Sequence, residues 1–200
     1  MATPFATNRR PVPPRDNPFR SACVDALGYV PPNGQTWEEI EFRIRAADFR
    51  GALVGPHGHG KSTLMHRLAK LDVPCARESH DVIQVQADGS NLSDVKRALT
   101  IGPPRLFLDG YDLLPWRLRR KVSRRPQVIV TSHRETKLPT LFRCETTPRL
   151  LGEVIGHLSP VVKQALADDA MAALYSAHHG NIRNALRELY DRVASGEFQI

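Results

Sequence analysis

Residues Ala52-Leu53-Val54-Gly55-Pro56-His57-Gly58-His59-Gly60-Lys61-Ser62-Thr63-Leu64 read as a short apolar strand, a glycine-rich turn and the opening of a helix. The turn spells G-x-x-x-x-G-K-S from Gly55 to Ser62. A triphosphate would dictate each part of that spacing. Backbone N–H groups that point inward need glycine, which tolerates positive φ cheaply and lets a phosphate come close. Lys61 would reach the β- and γ-phosphates, and the Ser62 hydroxyl would ligate Mg²⁺. The helix beginning there adds the positive end of its dipole. Leu64, Leu68 and Leu71 recur at i, i+4 and i+7, one face of that helix. Gly55, Pro56, His57, Gly58, His59, Gly60, Lys61, Ser62 and Thr63 are therefore the candidate phosphate cradle. A glycine-rich turn that binds nothing is the alternative. His57 and His59 fill variable positions and have no cysteine or carboxylate close in sequence, which argues against a metal on them.

Working outward, apolar strands are expected at 82–86, 105–109, 127–131 and 141–144, with helical patterns at 91–99 and 113–122. Thr36-Trp37-Glu38-Glu39 is a capping box that opens a helix bearing Trp37, Ile40, Ile44 and Ala47 on one side. Strands alternating with helices indicate an α/β fold whose sheet is parallel and covered on both faces. From residue 148 the pattern is helical only, over 148–158, 160–174 and 181–194. Ser159-Pro160 marks a start and Gly180 a stop. The expected division is a basic, proline-rich flexible arm over 1–18, an α/β core over 19–147 and a helical lid over 148–200.

In such a sheet ligands lie at the carboxyl ends of strands. The strand Arg105-Leu106-Phe107-Leu108-Asp109 ends in a carboxylate, so Asp109 is a candidate Mg²⁺ ligand beside the loop. Asp112 is a candidate for orienting water, or equally a helix N-cap for Leu113-Leu114. The strand ending Thr131-Ser132-His133 offers polar groups that could meet the γ-phosphate or the water.

The chain has 200 residues and a net charge of +7. Arg117, Arg119, Arg120, Lys121, Arg124 and Arg125 crowd into nine residues, and on a helix Arg117, Lys121 and Arg124 share a face. A solvated helix face, a surface for nucleic acid or an acidic protein, and an arginine reaching a neighbouring subunit's phosphate all stay open. The three cysteines, Cys23, Cys75 and Cys144, are scattered, which fits a reducing cytoplasm better than a disulfide framework. No apolar run suits a signal peptide or a membrane span, so no membrane partner is expected.

Taken together these elements resemble the AAA+ and related STAND ATPases, in the additional-strand class of P-loop proteins, over roughly residues 17–195. Gly55 to Thr63 matches Walker A, and Leu106-Phe107-Leu108-Asp109 matches Walker B. The strand ending at Ser132-His133 is similar to sensor 1. His179-Gly180-Asn181-Ile182-Arg183-Asn184-Ala185-Leu186 is similar to the sensor 2 motif of an AAA+ lid. Asn17-Pro18-Phe19 is similar to the lead-in segment of ExeA-like and TniB-like members. The resemblance implies a five-stranded, mostly parallel sheet in the order 5-1-4-3-2 with a helical lid. It implies ATP and Mg²⁺ as cofactors, with Lys61, Asp109, Asp112, Ser132 and Arg183 as catalytic candidates and Arg183 reaching the γ-phosphate. It also implies nucleotide-dependent assembly, with Arg134 or Arg143 as the arginine acting in trans.

The departures matter as much. AAA+ proteins usually carry Glu after the Walker B Asp, and here Gly110 stands there. Asp109-Gly110-Tyr111-Asp112 is nearer the Asp-Gly-x-Asp of NACHT-type switches, whose following Glu is Leu113 here. No Asn-Lys-x-Asp guanine signature occurs, which favours ATP over GTP. Three functions follow: an ATPase that uses nucleotide state to control a partner; a switch that binds ATP with little turnover; and, less well matched, a small-molecule P-loop kinase.

Overall fold

The computed structural model describes residues 11–32, 34–71 and 82–198. In chain order its helices and strands are α1 (Ser21–Leu27), α2 (Trp37–Ala46), β1 (Arg50–Val54), α3 (Lys61–Leu68), β2 (Val82–Gln84), α4 (Leu92–Ile101), β3 (Arg105–Asp109), α5 (Trp116–Val122), β4 (Gln127–Ser132), β5 (Thr140–Arg143), α6 (Pro148–Leu158), α7 (Pro160–Ala165), α8 (Asp168–Ala177) and α9 (Ile182–Ala194). Short 3₁₀ turns lie at Pro14–Asp16 and Tyr111–Leu113.

The chain forms two compact units. The α/β unit spans Pro31–Glu145. Its five strands lie in the order β2-β3-β4-β1-β5, which is 5-1-4-3-2 read from the other edge. Every pairing is parallel, not merely most of them. The strands are apolar on both faces, as a sheet covered on both sides requires. Val128, Val130, Leu106 and Leu108 pack with Ala52 and Val54 against Val95 and Ala98 of α4 and Leu118 and Val122 of α5. Leu53, Phe107 and Ile129 occupy the alternate positions and are fully buried. The capping box at α2 is complete: Glu39 N donates to Thr36 Oγ1 over 3.2 Å and Thr36 N to Glu39 Oε2 over 3.1 Å. The Arg67 guanidinium lies 3.9 Å from the centre of the Trp37 ring and ties α3 to α2.

Among the described residues, the helical unit joins 11–30 to 146–198. The expected boundaries, with 19–147 as core, are corrected here. Phe19 is buried in one cluster with Leu150, Leu151, Ile155, Leu186 and Leu189. The proposed arm over 1–18 is corrected in its last part too. Asn17 is fully buried, its Nδ2 donates to Tyr190 O over 2.9 Å, and its Oδ1 accepts from Phe19 N. Residues 1–10 lie outside the described residues.

Three further elements differ from expectation. The helix expected over 160–174 is two helices, because Leu166 and Ala167 are extended, and the break leaves Leu166 and Met171 both buried in the cluster. The helix expected from Leu113 starts at Trp116, since Pro115 is its N-cap in extended conformation. The strand expected over 82–86 is only Val82–Gln84. The Gly180 stop takes a specific form. His179 and Gly180 both have positive φ (50° and 78°), and Gly180 N and His179 N bond back to Tyr175 O and Ser176 O.

Replacing fully buried Leu151 with alanine is expected to cost about 2–5 kcal/mol. The exposed Val161→Ala should change stability by less than about 0.5 kcal/mol. Equilibrium urea unfolding of the two variants checks the pair.

Candidate functional site

The glycine-rich loop leaves β1 at the carboxyl edge of the sheet. Gly55 N donates to Ser132 O over 3.1 Å, so the loop starts from the β1–β4 pairing. On its other side Gly55 lies against β5. A Cβ there would sit 2.5 Å from Cys144 O, so only glycine fits without moving backbone. Gly58 and Gly60 have φ of 75° and 79°, the left-handed region where glycine has no penalty. Gly60 then caps α3, and Lys61 is its first residue. Lys61 is buried, and its Nζ donates to Gly55 O over 2.7 Å and to Pro56 O over 2.6 Å. The chain thus curls around its own ammonium group. Ser62 and Thr63 follow in the first turn of the helix, half-buried.

Asp109 ends β3, with β4 between it and β1. It is buried, and the Thr131 hydroxyl donates to its Oδ1 while accepting from Gly110 N over 2.9 Å. One hydroxyl therefore joins the ends of β3 and β4. Gly110 itself takes φ 92°, and there the chain turns into the Tyr111–Leu113 3₁₀ turn.

Asp112 does not cap a helix; that alternative is corrected. Its Oδ1 lies 2.8 Å from Ser132 Oγ, and its Oδ2 accepts from His133 N over 2.5 Å and faces His133 Nδ1 at 3.1 Å. Ser132 and His133 are thus brought together with Asp112. The sequence named all three, but not their mutual bonding. The His57 ring sits 3.7 Å from the His133 ring, centre to centre, which ties the loop to β4. His59 bonds Cys144 O through Nδ1 at 3.2 Å. Among the described residues no three His, Cys, Asp or Glu side chains form a group suited to a metal ion. Were phosphates to bring an Mg²⁺ to the loop, Ser62 and Asp109 would be the residues to hold it.

Three arginines remain among the candidates. Arg143 pairs with Glu135 on the surface. Arg134 is exposed, and its N–H bonds Ser132 Oγ over 3.1 Å. Arg183 belongs to the helical unit, exposed on α9, whose buried stripe is Ala185, Leu186, Leu189 and Val193. Cys23 and Cys144 are free thiols, and Cys75 lies outside the described residues. Among the described residues no helix is long and apolar enough to cross a membrane.

No protein-family model matches the chain. No curated protein matches it.

Burial pushes the His133 imidazole below its ordinary value, and Lys61 and His57 add to that push, against the pull of Asp112. Burial also lowers His59, against its bond to the Cys144 carbonyl. The folded state therefore disfavours both imidazolium forms. Above the ordinary histidine value of 6.5 their contribution to stability is intact. As pH falls through that value the unfolded chain takes up the protons first, and stability drops. The wild type should thus lose more melting temperature between about pH 7.5 and about pH 5.5 than the double variant His59→Asn/His133→Asn. Thermal unfolding at both pH values checks the difference in slope.

Proposed function

We propose that this chain binds ATP with Mg²⁺ at Gly55–Thr63 and uses the bound nucleotide as a slowly reset switch. One observation carries the reading. A left-handed glycine loop with a buried lysine joins a strand of a parallel sheet to a helix, and an aspartate ends a strand two places away. In this reading the N–H groups of Gly58 to Ser62 meet the phosphates at the helix start. Lys61 exchanges the carbonyls of Gly55 and Pro56 for β- and γ-phosphate oxygens. Ser62 and Asp109 hold Mg²⁺, which neutralises phosphate charge. The additional-strand sheet order, with one strand between β1 and β3, supports the AAA+/STAND-like assignment over a small-molecule kinase.

Slow turnover is favoured over rapid hydrolysis by a specific feature. A water-activating carboxylate needs a free oxygen near the nucleophile. Gly110 supplies none, Asp112 Oδ2 already accepts from His133 N, and Asp112 Oδ1 faces the Ser132 hydroxyl, whose one proton it shares with Arg134 O. In this role Asp112 orients the end of β4 rather than a water molecule.

Isothermal titration with ATP and Mg²⁺ tests binding. The wild type is expected to bind, and Lys61→Ala to lose at least about tenfold in affinity, or roughly 1.4 kcal/mol. Asp109→Asn should bind with weakened dependence on Mg²⁺. Heat-free mixing of wild type with ATP·Mg²⁺ and Lys61→Ala alike would overturn the assignment. Single-turnover phosphate release then separates the switch from a fast ATPase. Release on the scale of the ~10 s⁻¹ typical of enzymes would overturn the switch.

A further inference from the structure

We propose that the groove between α4 and α5 binds the phosphodiester backbone of single-stranded nucleic acid. This site lies within the α/β unit and stands apart from the nucleotide loop. The loop leaves the carboxyl ends of the strands, whereas α4 and α5 run into the amino ends of β3 and β4. The groove encloses about 420 Å³ and is lined by Lys96, Leu99 and Thr100 of α4, with Leu118, Lys121, Arg124 and Arg125 on or after α5.

The charge there is one-sided. Lys96 and Lys121 come from different helices, so the cluster is a product of the fold rather than of the basic run alone. The segment 116–127 contains no acidic residue, and Asp94, the one acid of α4, pairs with Arg97 at 3.3 Å. Like charges gathered this closely repel and cost folding energy, which a polyanion would offset. Arg125 is held in place by its Nη2, which donates to Pro103 O over 2.6 Å. Its Nε is buried and has no acceptor among the described residues. The floor of Leu99 and Leu118 is apolar, which suits a sugar between two phosphates.

The choice of nucleic acid over an acidic protein rests on Trp116. The residue is 61% exposed at the start of α5, with the Arg117 guanidinium 5.5 Å from its ring centre. Going around the helix, Trp116, Arg120, Arg117 and Lys121 make one continuous face that ends at the groove, where Arg124 joins it from the turn after α5. A flat exposed ring beside cations is what unstacked bases use, and stacking is worth several-fold in affinity per base. An acidic peptide has no use for the ring, and a duplex keeps its bases away from it.

Fluorescence anisotropy of the full-length chain with a labelled single-stranded oligonucleotide tests the proposal. The competitors are the duplex of the same sequence and polyglutamate. Binding is expected to weaken with salt with a log–log slope of about −3, from four phosphate contacts at ~0.7 each. Lys96→Ala/Lys121→Ala should bind about tenfold more weakly and halve the slope. Trp116→Ala should lose about fivefold or more and leave the slope unchanged. All three changed side chains are exposed, and an unchanged melting temperature checks that the variants fold. No binding at low salt, equal binding by Lys96→Ala/Lys121→Ala, or equal competition by polyglutamate or duplex would each overturn the proposal.

Discussion

Gly51 and Gly55 bracket β1 where neighbouring backbone leaves no room for a side chain. A Cβ would fall 2.5 Å from Pro139 O at one end and 2.5 Å from Cys144 O at the other. Between them Ala52 and Leu53 are fully buried. Backbone packing of this kind does not give way as a flexible side chain does, so β1 and β5 lock in one relative position. The loop inherits that position. It leaves β1 at a fixed point, is tied to β5 by His59 and to β4 by the His57–His133 stack, and closes on Lys61.

The second constraint is the treatment of the two carboxylates. Buried polar groups must find partners, and here each partner also joins two elements. Thr131 joins Asp109 to Gly110 across β3 and β4. Asp112 ties Ser132 at the end of β4, and His133 just after it, to the 3₁₀ turn after β3. The acids therefore have different surroundings. Asp109 has a single hydroxyl on one oxygen, while Asp112 has the His133 N–H on one oxygen and a shared Ser132 hydroxyl on the other. An arrangement of that kind leaves Asp109 Oδ2 without a hydrogen-bond donor among the described residues.

Much of this was legible in the chain because the signals were local. The strand–glycine loop–helix unit, the capping box at Thr36 and the Ser159-Pro160 start of α7 each depend on residues a few positions apart. Asp109 could be read because an apolar run ended in a charge. What was missed depends on distance or on the lack of a breaker. Nothing like Pro or Gly announces the break at Leu166-Ala167, whose reason is burial of Leu166 and Met171. Phe19 joins helices more than a hundred positions away, so its attachment to the helical unit had no nearby trace. Asp112 could be read as a cap because its true partners, Ser132 and His133, come from another strand. The basic run after Trp116 was plain, but its counterpart Lys96 becomes a neighbour only through the packing of α4 on α5.

Cys144 turns the close packing of β5 into something that can be timed. Its thiol is buried, and burial drives its pKa up to about 12, so almost no thiolate exists near neutral pH. Its carbonyl meanwhile accepts from His59 and lies against Gly55. The sulfur can meet an alkylating reagent only when β5 and the loop part. Its labelling rate therefore counts openings of that end of the sheet, a clock built in beside the loop and read without any change to the sequence there.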